Sequence, residues 1–200
     1  MSEDPFDNLG AGLIGRVRQA LAGHRPRRIE DRSLAPAAVL ILLYRTDSQL
    51  CLLLTERSQE VELHKGQMAF PGGACDERDG DLLATALRET FEEIGVRPED
   101  VEVIGQLDDV PTISDYLVTP FVGVIRSGAS RSGYPFVIEQ REVAALVEVP
   151  LPHLLDERNK ELEVRQWKGK PVLVPAYTHG RRRIFGATAI IIDRFLGLLS

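Results

Sequence analysis

Two apolar runs in the first third of the chain constrain its fold more than any other feature. AAVLILLYR spans residues 37–45 and QLCLLLTER spans residues 49–57, with only TDS between them. Continuous apolar runs of this length, bounded by turn residues, are typical of buried strands. The two runs therefore predict a pair of buried strands joined by a short turn.

Strand and helix patterns alternate along the rest of the chain. The sequence predicts strands at VEVIGQL, YLVTPFVGVI and VAALVEVPL, a hairpin in which LEVRQW and PVLVPAY flank KGK, and loops at residues 58–80 and at DDVPTISD. Apolar residues at helical spacing predict helices over residues 9–22, at LPHLLDE and after Gly186. Strands interleaved with helices predict an α/β sandwich built on a mixed sheet. A polar connector divides the chain into an N-terminal helix with its connector, residues 1–33, and a main domain, residues 34–200.

Composition narrows the classes of protein to consider. The chain has 200 residues, of which 44% are hydrophobic, enough for a sizeable core. Its net charge of −6 argues against a nucleic-acid partner, which usually meets a basic surface. The acidic start lacks the pattern of a secretory signal, and the apolar runs are too short to span a bilayer. We therefore expect a cytoplasmic protein without a membrane partner, and the patterns leave its oligomeric state open.

Three glutamates, Glu89, Glu92 and Glu93, lie together on a predicted helix that Asp81 caps and Gly95 ends. At about 100° per residue they share one side of the helix. The other side is predicted to pack inward and comprises Leu83, Leu87, Thr90, Phe91 and Ile94. Clustered carboxylates repel one another unless solvent or a cation intervenes, and Mg²⁺ prefers such oxygen ligands. The cluster is therefore either a solvated acidic surface or a metal site.

The loop before this helix favours a ligand site. Pro71, Gly72 and Gly73 form the stretch FPGG, whose glycines allow a ligand to approach the backbone closely. Arg88 lies four residues before Glu92, so it can pair with that carboxylate and orient it.

Together these residues resemble the Nudix hydrolase signature, which they follow in order at Gly73, Arg88, Glu89, Glu92, Glu93, Gly95 and Val96. The chain departs from the signature in three ways. Arg88 is one residue farther from Gly73, Asp79 stands where the first glutamate belongs, and Thr90 replaces an aliphatic residue. The resemblance implies an α/β/α sandwich with a mixed β-sheet.

A second resemblance is to the coenzyme A pyrophosphatase branch of that family. LLTERSQEVELHKGQMAFPGG matches its upstream motif at Leu53, Leu54, Thr55, Arg57, Ser58, Gly66, Phe70, Pro71, Gly72 and Gly73. Glu62 stands where that motif has an arginine, although His64 and Lys65 offer positive charge nearby. Later stretches extend the similarity over roughly residues 35–199.

The resemblance implies hydrolysis of the coenzyme A diphosphate to 3′,5′-ADP and 4′-phosphopantetheine, with Mg²⁺ or Mn²⁺ as cofactor. Glu89 and Glu93 are the first candidates for metal ligands, and Glu92 is a third ligand or the base that activates water. The remaining candidates are Arg88 and Glu142 in catalysis, and Arg57, Lys65, Gly72 and Gly73 in substrate binding.

Several alternatives stay open. Glu142 is otherwise a solvated loop residue, and Arg57 otherwise closes a loop. Trp167 and Phe185 are interpreted as core or hairpin packing rather than as a stacking platform for a base. For the whole chain, the alternatives are a Nudix hydrolase of another nucleoside diphosphate derivative, such as ADP-ribose or a dinucleotide, and a non-catalytic nucleotide-binding module.

Overall fold

The computed structural model describes residues 5–46, 49–59, 66–126, 134–167 and 169–199. Four α-helices and eleven strands in this part of the chain are, in order, α1 (Pro5–Gly23), β1 (Ala35–Arg45), β2 (Leu50–Arg57), β3 (Met68–Ala69), β4 (Gly72–Ala74), α2 (Leu82–Ile94), β5 (Val101–Gln106), β6 (Val110–Pro111), β7 (Tyr116–Ile125), β8 (Val143–Pro150), α3 (Leu151–Leu155), β9 (Lys160–Trp167), β10 (Lys170–His179), β11 (Arg182–Ile184) and α4 (Gly186–Gly197). Short 3₁₀ turns span Pro98–Asp100 and Glu157–Asn159. None of the described helices is long and apolar enough to cross a membrane.

A mixed sheet lies at the centre of the molecule. Strand β1 pairs with β7 in parallel and with β2 in antiparallel orientation, and β5 and β8 extend the sheet antiparallel to β7 and β2. Strands β9, β10 and β11 form a separate antiparallel sheet. The predicted mixed sheet and the predicted hairpin of β9 and β10 are confirmed, whereas the separation of that hairpin from the central sheet was not predicted.

Helices cover both faces of the central sheet because side chains alternate along its strands. On one face, Leu40 and Leu42 of β1 belong to the same apolar cluster as Ala86 of α2. On the other, Ile41 of β1 belongs to a cluster with Val17 of α1 and the fully buried Phe195 of α4. The sandwich is therefore α/β/α, with α1 and α4 opposite α2. Other members of the α1 and α4 cluster include Leu21, Leu43 and Ile192.

Three short strands occupy segments that were predicted to be loops. Strands β3 and β4 lie within residues 58–80, and β6 lies within DDVPTISD. Strands of two or three residues are too short to show an alternating pattern. They form because their backbones pair with β2, β1 and β7, which are distant in sequence.

Candidate active site

Helix α2 begins and ends where the sequence predicts. The Asp81 carboxylate accepts the backbone N–H of Ala84 at 2.8 Å, and Gly95 has a φ of 73° at the C-terminus. Before it, β4 pairs with β1, which brings the glycine-containing segment against the same helix. The local sequence therefore determines where the acidic helix starts and ends. The pairing of β4 with β1 places the glycine-containing segment against it.

The buried face of α2 differs from the predicted one. Glu93 is only 3% exposed, whereas Phe91 is 50% exposed. Ala86, Thr90 and Glu93 follow one another at intervals of four and three residues, so they lie on one face, and all three are buried. Placing Phe91 on the packed side was wrong, because hydrophobicity alone set the predicted face. The glutamate, not the phenylalanine, faces inward.

Glu93 is held in a site that disfavours its charge. Burial raises the pKa of Glu93 to about 8, with the charges of Glu89 and Glu142 adding to the increase. The positive charge of Arg57 and a hydrogen bond from the Gly72 backbone oppose that rise. Among the described residues, Glu93 Oε2 has no hydrogen-bond partner. Burial also raises the pKa of Glu89.

Gly72 and Gly73 each lie against one of these carboxylates. Gly72 donates its backbone N–H to Glu93, and a side chain at Gly73 would begin 2.6 Å from the Glu89 carboxylate carbon. Gly72 also has a φ of 146°, and a Cβ there would lie 2.3 Å from the carbonyl oxygen of Ala38. Gly72 therefore requires glycine because of its positive φ and its close contact with β1, whereas a side chain at Gly73 would displace the Glu89 carboxylate. Contact of either glycine with substrate stays a prediction.

Arg88 donates hydrogen bonds to three carboxylates. Its Nε and Nη2 donate to the two oxygens of Asp79 at 2.8 and 2.9 Å, and its Nη1 donates to Glu89 at 2.7 Å and to Glu92 at 3.0 Å. The pKa of Asp79 is lowered, chiefly by the hydrogen bonds from Arg88. Asp79 also accepts the Thr85 hydroxyl at 2.8 Å. From the sequence, Asp79 was a departure from the signature that keeps a carboxylate, and its ion pair with Arg88 was not predicted.

The remaining candidates come from other elements. Arg57 ends β2, and among the described residues its buried Nε has no hydrogen-bond partner. Glu142 is exposed just before β8, and its carbonyl accepts the Ser58 N–H at 2.8 Å. Its charge contributes to the pKa increases of Glu89 and Glu93, so it lies near the cluster. Lys65, like Glu62 and His64, lies outside the described residues.

The carboxylate cluster fits a hard divalent cation. Within the described part of the chain, no three His, Cys, Asp or Glu side chains already enclose a metal position. Glu92, whose side chain is 55% exposed, instead pairs with Arg88. The unpartnered oxygen of Glu93 and its raised pKa nevertheless indicate that protein groups compensate the negative charge of this carboxylate only in part. Glu89 and Glu93 offer the oxygen donors that Mg²⁺ and Mn²⁺ prefer.

A cavity of about 540 Å³ has Arg57 in its wall, the same arginine whose charge acts on Glu93, whereas none of the three glutamates lines it. Trp167 at the end of β9 and Phe185 before α4 also line it, and both are partly exposed. They line a gap that separates the small sheet from α4 and the 111–114 segment, so neither belongs to the buried core, whereas hairpin packing of Trp167 fits its pairing with Lys170. A single aromatic residue in a hairpin gives no sequence signal for such a gap.

Comparisons with known proteins agree with this fold. A family model described as the NUDIX domain matches residues 34–169. The chain is 36% identical over 169 residues to the uncharacterized Nudix hydrolase NudL of Photorhabdus laumondii, covering 84% of this chain and 87% of that protein. It is 42% identical over 139 residues to NudL of an Enterobacter species, covering 66% and 69%. A MutT/nudix family protein from Enterococcus faecalis superposes with a TM-score of 0.53 at 17% identity, covering 100% of this chain and 76% of that one, which shows the fold alone.

Proposed function

The chain belongs to the Nudix family, and we propose that this hydrolase cleaves the diphosphate of coenzyme A to 3′,5′-ADP and 4′-phosphopantetheine. One observation carries the proposal. Arg57 and Glu93 face the same region from two elements, and each has a buried atom, Nε and Oε2, without a partner among the described residues. A phosphate oxygen would accept from the first and a cation would bind the second.

Glu89 and Glu93 would hold the cation, with Glu92 as a third ligand or as the base. A divalent cation bound there would neutralise diphosphate oxygens and make a nearby water more acidic. Arg57 donates to a phosphate oxygen and orients the diphosphate. A carboxylate oxygen of Glu92 accepts the proton of the attacking water, because Glu92 is the most exposed of the three glutamates. Glu142 is the second candidate for that base.

Arg88 acts as a positioning residue in this scheme. Its donors are directed to Asp79, Glu89, Glu92 and the carbonyl of Ala74, so the guanidinium orients carboxylates rather than substrate. A fixed arrangement of acidic groups reduces the reorganisation needed when the substrate binds.

The cavity beyond Arg57 would hold a part of coenzyme A that does not react. Trp167 and Phe185 offer aromatic rings in a largely apolar wall, a surface that suits the adenine base. Binding energy gained there is used to place the diphosphate against the glutamates. The upstream motif around Arg57 and Phe70 is the sequence support for coenzyme A over other nucleotides.

A substrate panel tests the proposal. Coenzyme A, dephospho-coenzyme A, ADP-ribose, NADH, a diadenosine polyphosphate and a nucleoside triphosphate are each assayed with Mg²⁺ and with Mn²⁺, and the products are separated by chromatography. We expect the highest kcat/KM for coenzyme A. Because Glu62 replaces an arginine, we expect loss of the 3′-phosphate in dephospho-coenzyme A to have a small effect.

Two results would reject parts of the proposal. Cleavage of ADP-ribose or a nucleoside triphosphate with at least about tenfold higher kcat/KM would reject coenzyme A as the substrate and leave the hydrolase. No cleavage of any panel member with either metal would favour the nucleotide-binding module.

A further inference from the structure

The connector between α1 and β1, residues 24–34, contacts the segment that forms one wall of the cavity. We call residues 107–115 the wall loop; its Pro111, Thr112, Ile113 and Ser114 line the cavity. The Arg27 N–H donates to Asp108 Oδ1 at 2.9 Å, and the Asp109 N–H donates to the Arg27 carbonyl at 3.1 Å. Most of this connector lies before residue 34, where the match to the NUDIX model begins.

Asp109 is the buried centre of this contact, with 3% exposure. Its Oδ2 accepts the Ile29 N–H at 2.9 Å, and its Oδ1 accepts the Thr119 hydroxyl at 2.7 Å and Arg28 Nη1 at 3.3 Å. Its carbonyl accepts Arg194 Nη1 from α4 at 3.1 Å. A buried carboxylate is costly to separate from its donors, so these bonds fix Asp109 tightly.

The wall begins immediately after this fixed residue. Val110 and Pro111 form β6 and pair with β7, so the chain has little freedom between Asp109 and the cavity. Arg28 also donates from Nη2 to Gln106 Oε1 at 2.9 Å, at the end of β5. The connector therefore holds the wall loop at Asp108 and Asp109, just before the residues that line the cavity.

We propose that the connector, through Arg28 and Ile29 on Asp109, sets the position of the wall loop and thereby the affinity of the cavity for substrate. Arg28 is a positioning residue in this role, since it contacts neither the glutamates nor the cavity in any described interaction. Loss of the contact should weaken substrate binding and leave the bond-breaking step intact. The kinetic part of this inference rests on the proposed function, whereas the position of the wall loop does not.

The test compares Arg28→Gln and Arg28→Lys with a matched control, Arg18→Gln. Arg18 also joins the N-terminal segment to β5, through two bonds to Glu102 at 2.6 and 2.7 Å, but it does not contact the wall loop. Hydrogen–deuterium exchange of residues 110–116 in the full chain reports on the wall, and fluorescence of Trp167, the only tryptophan, reports on the cavity. Steady-state kinetics with coenzyme A separates KM from kcat.

For Arg28→Gln we expect faster exchange in the wall loop, altered Trp167 emission, and a KM raised about twofold to thirtyfold with kcat within about twofold. Arg28→Lys, which keeps one charged donor, should fall between wild type and Arg28→Gln.

Unchanged exchange of the wall loop in Arg28→Gln, or an equal change in Arg18→Gln, would overturn the proposal. Faster exchange with unchanged KM would overturn its effect on affinity. If wild type does not cleave coenzyme A, the proposed function fails. Hydrogen–deuterium exchange alone then tests whether the connector holds the wall loop in position.

Discussion

The carboxylate cluster and the cavity that Arg57 lines are formed by the chain in different ways. The cluster comes mainly from one helix and the loop before it, between Gly72 and Glu93, and its groups are tied by short hydrogen bonds. The cavity is assembled from several separated segments, among them those near Met68, Pro111, Trp167 and Phe185, and its wall is largely apolar. The cluster positions charged groups, whereas the cavity presents a largely apolar surface. Arg57 lines the cavity and also acts on Glu93 of the cluster.

This difference predicts different kinetic consequences. Groups in the cluster act on the reacting diphosphate, so their loss should lower kcat. Groups in the cavity contact parts of the substrate that do not react, so their loss should chiefly raise KM. A substitution in the cluster that chiefly raised KM, or one in the cavity that chiefly lowered kcat, would contradict this division.

The largest effect is expected for Glu93→Gln. The change keeps the size of the buried side chain but removes the charge that would bind a cation, so we expect kcat to fall at least about a hundredfold. Activity with coenzyme A and Mg²⁺ is the measurement, with circular dichroism melting as the control for folding. Retention of more than a tenth of wild-type kcat by a folded variant would refute the role given to Glu93.

The next largest effect is expected for Arg88→Gln. Removing the guanidinium frees Asp79, Glu89 and Glu92, and loss of groups that orient metal ligands lowers activity by about tenfold to a hundredfold. Arg78→Gln is the matched control, because Arg78 pairs with Asp76 in the same loop but is 81% exposed. Equal losses of kcat in the two variants would argue against a specific role of Arg88 in orienting the carboxylates.

Trp167→Leu should affect KM more than kcat. Stacking of a base on an aromatic ring contributes about 1–3 kcal/mol, so we expect KM for coenzyme A to rise about tenfold while kcat changes less than about threefold. Val164→Ala is the control, since Val164 is exposed on the same strand and does not line the cavity. A fall in kcat with unchanged KM would contradict the division between cluster and cavity.

The smallest effect is on stability without metal. The pKa of Glu93 is about 8 in the folded protein, above its ordinary value, so its contribution to stability is complete below pH ~4 and is lost as the pH rises to about 8. In chelator, wild type should lose at least about 3 °C more than Glu93→Gln between pH ~6 and pH ~9. Mg²⁺ should raise the wild-type Tm more at the higher pH, because protons then compete less for Glu93. Parallel Tm curves for the two proteins would show that Glu93 does not titrate in this range.

The sequence predicted the cluster far better than the cavity, for a physical reason. Asp81, Gly95 and the three glutamates lie within a few turns of one helix, where spacing determines the face. The inward turn of Glu93 was not predicted, since it depends on packing against the central sheet. The strands β1 and β7 were predicted because their apolar runs are long.

The cavity depends on contacts between distant segments, which periodicity does not encode. Trp167 is near the end of a hairpin strand, and Phe185 precedes α4; nothing in either local pattern indicates that both face one space. The local sequence around Asp109 likewise does not indicate its partners. Arg28 lies about eighty residues before it and Thr119 ten residues after it. Only the fold brings such groups together.

Binding of Mn²⁺, followed by the loss of the free-ion signal in electron paramagnetic resonance, tests most directly whether the buried carboxylates of α2 serve a divalent cation. Wild type, Glu93→Gln and the exposed control Glu77→Gln are titrated at a pH of about 8, with folding verified for each. We predict that Glu93→Gln binds Mn²⁺ at least about tenfold more weakly than wild type and that Glu77→Gln binds it equally well. The same affinity in all three proteins would contradict the account.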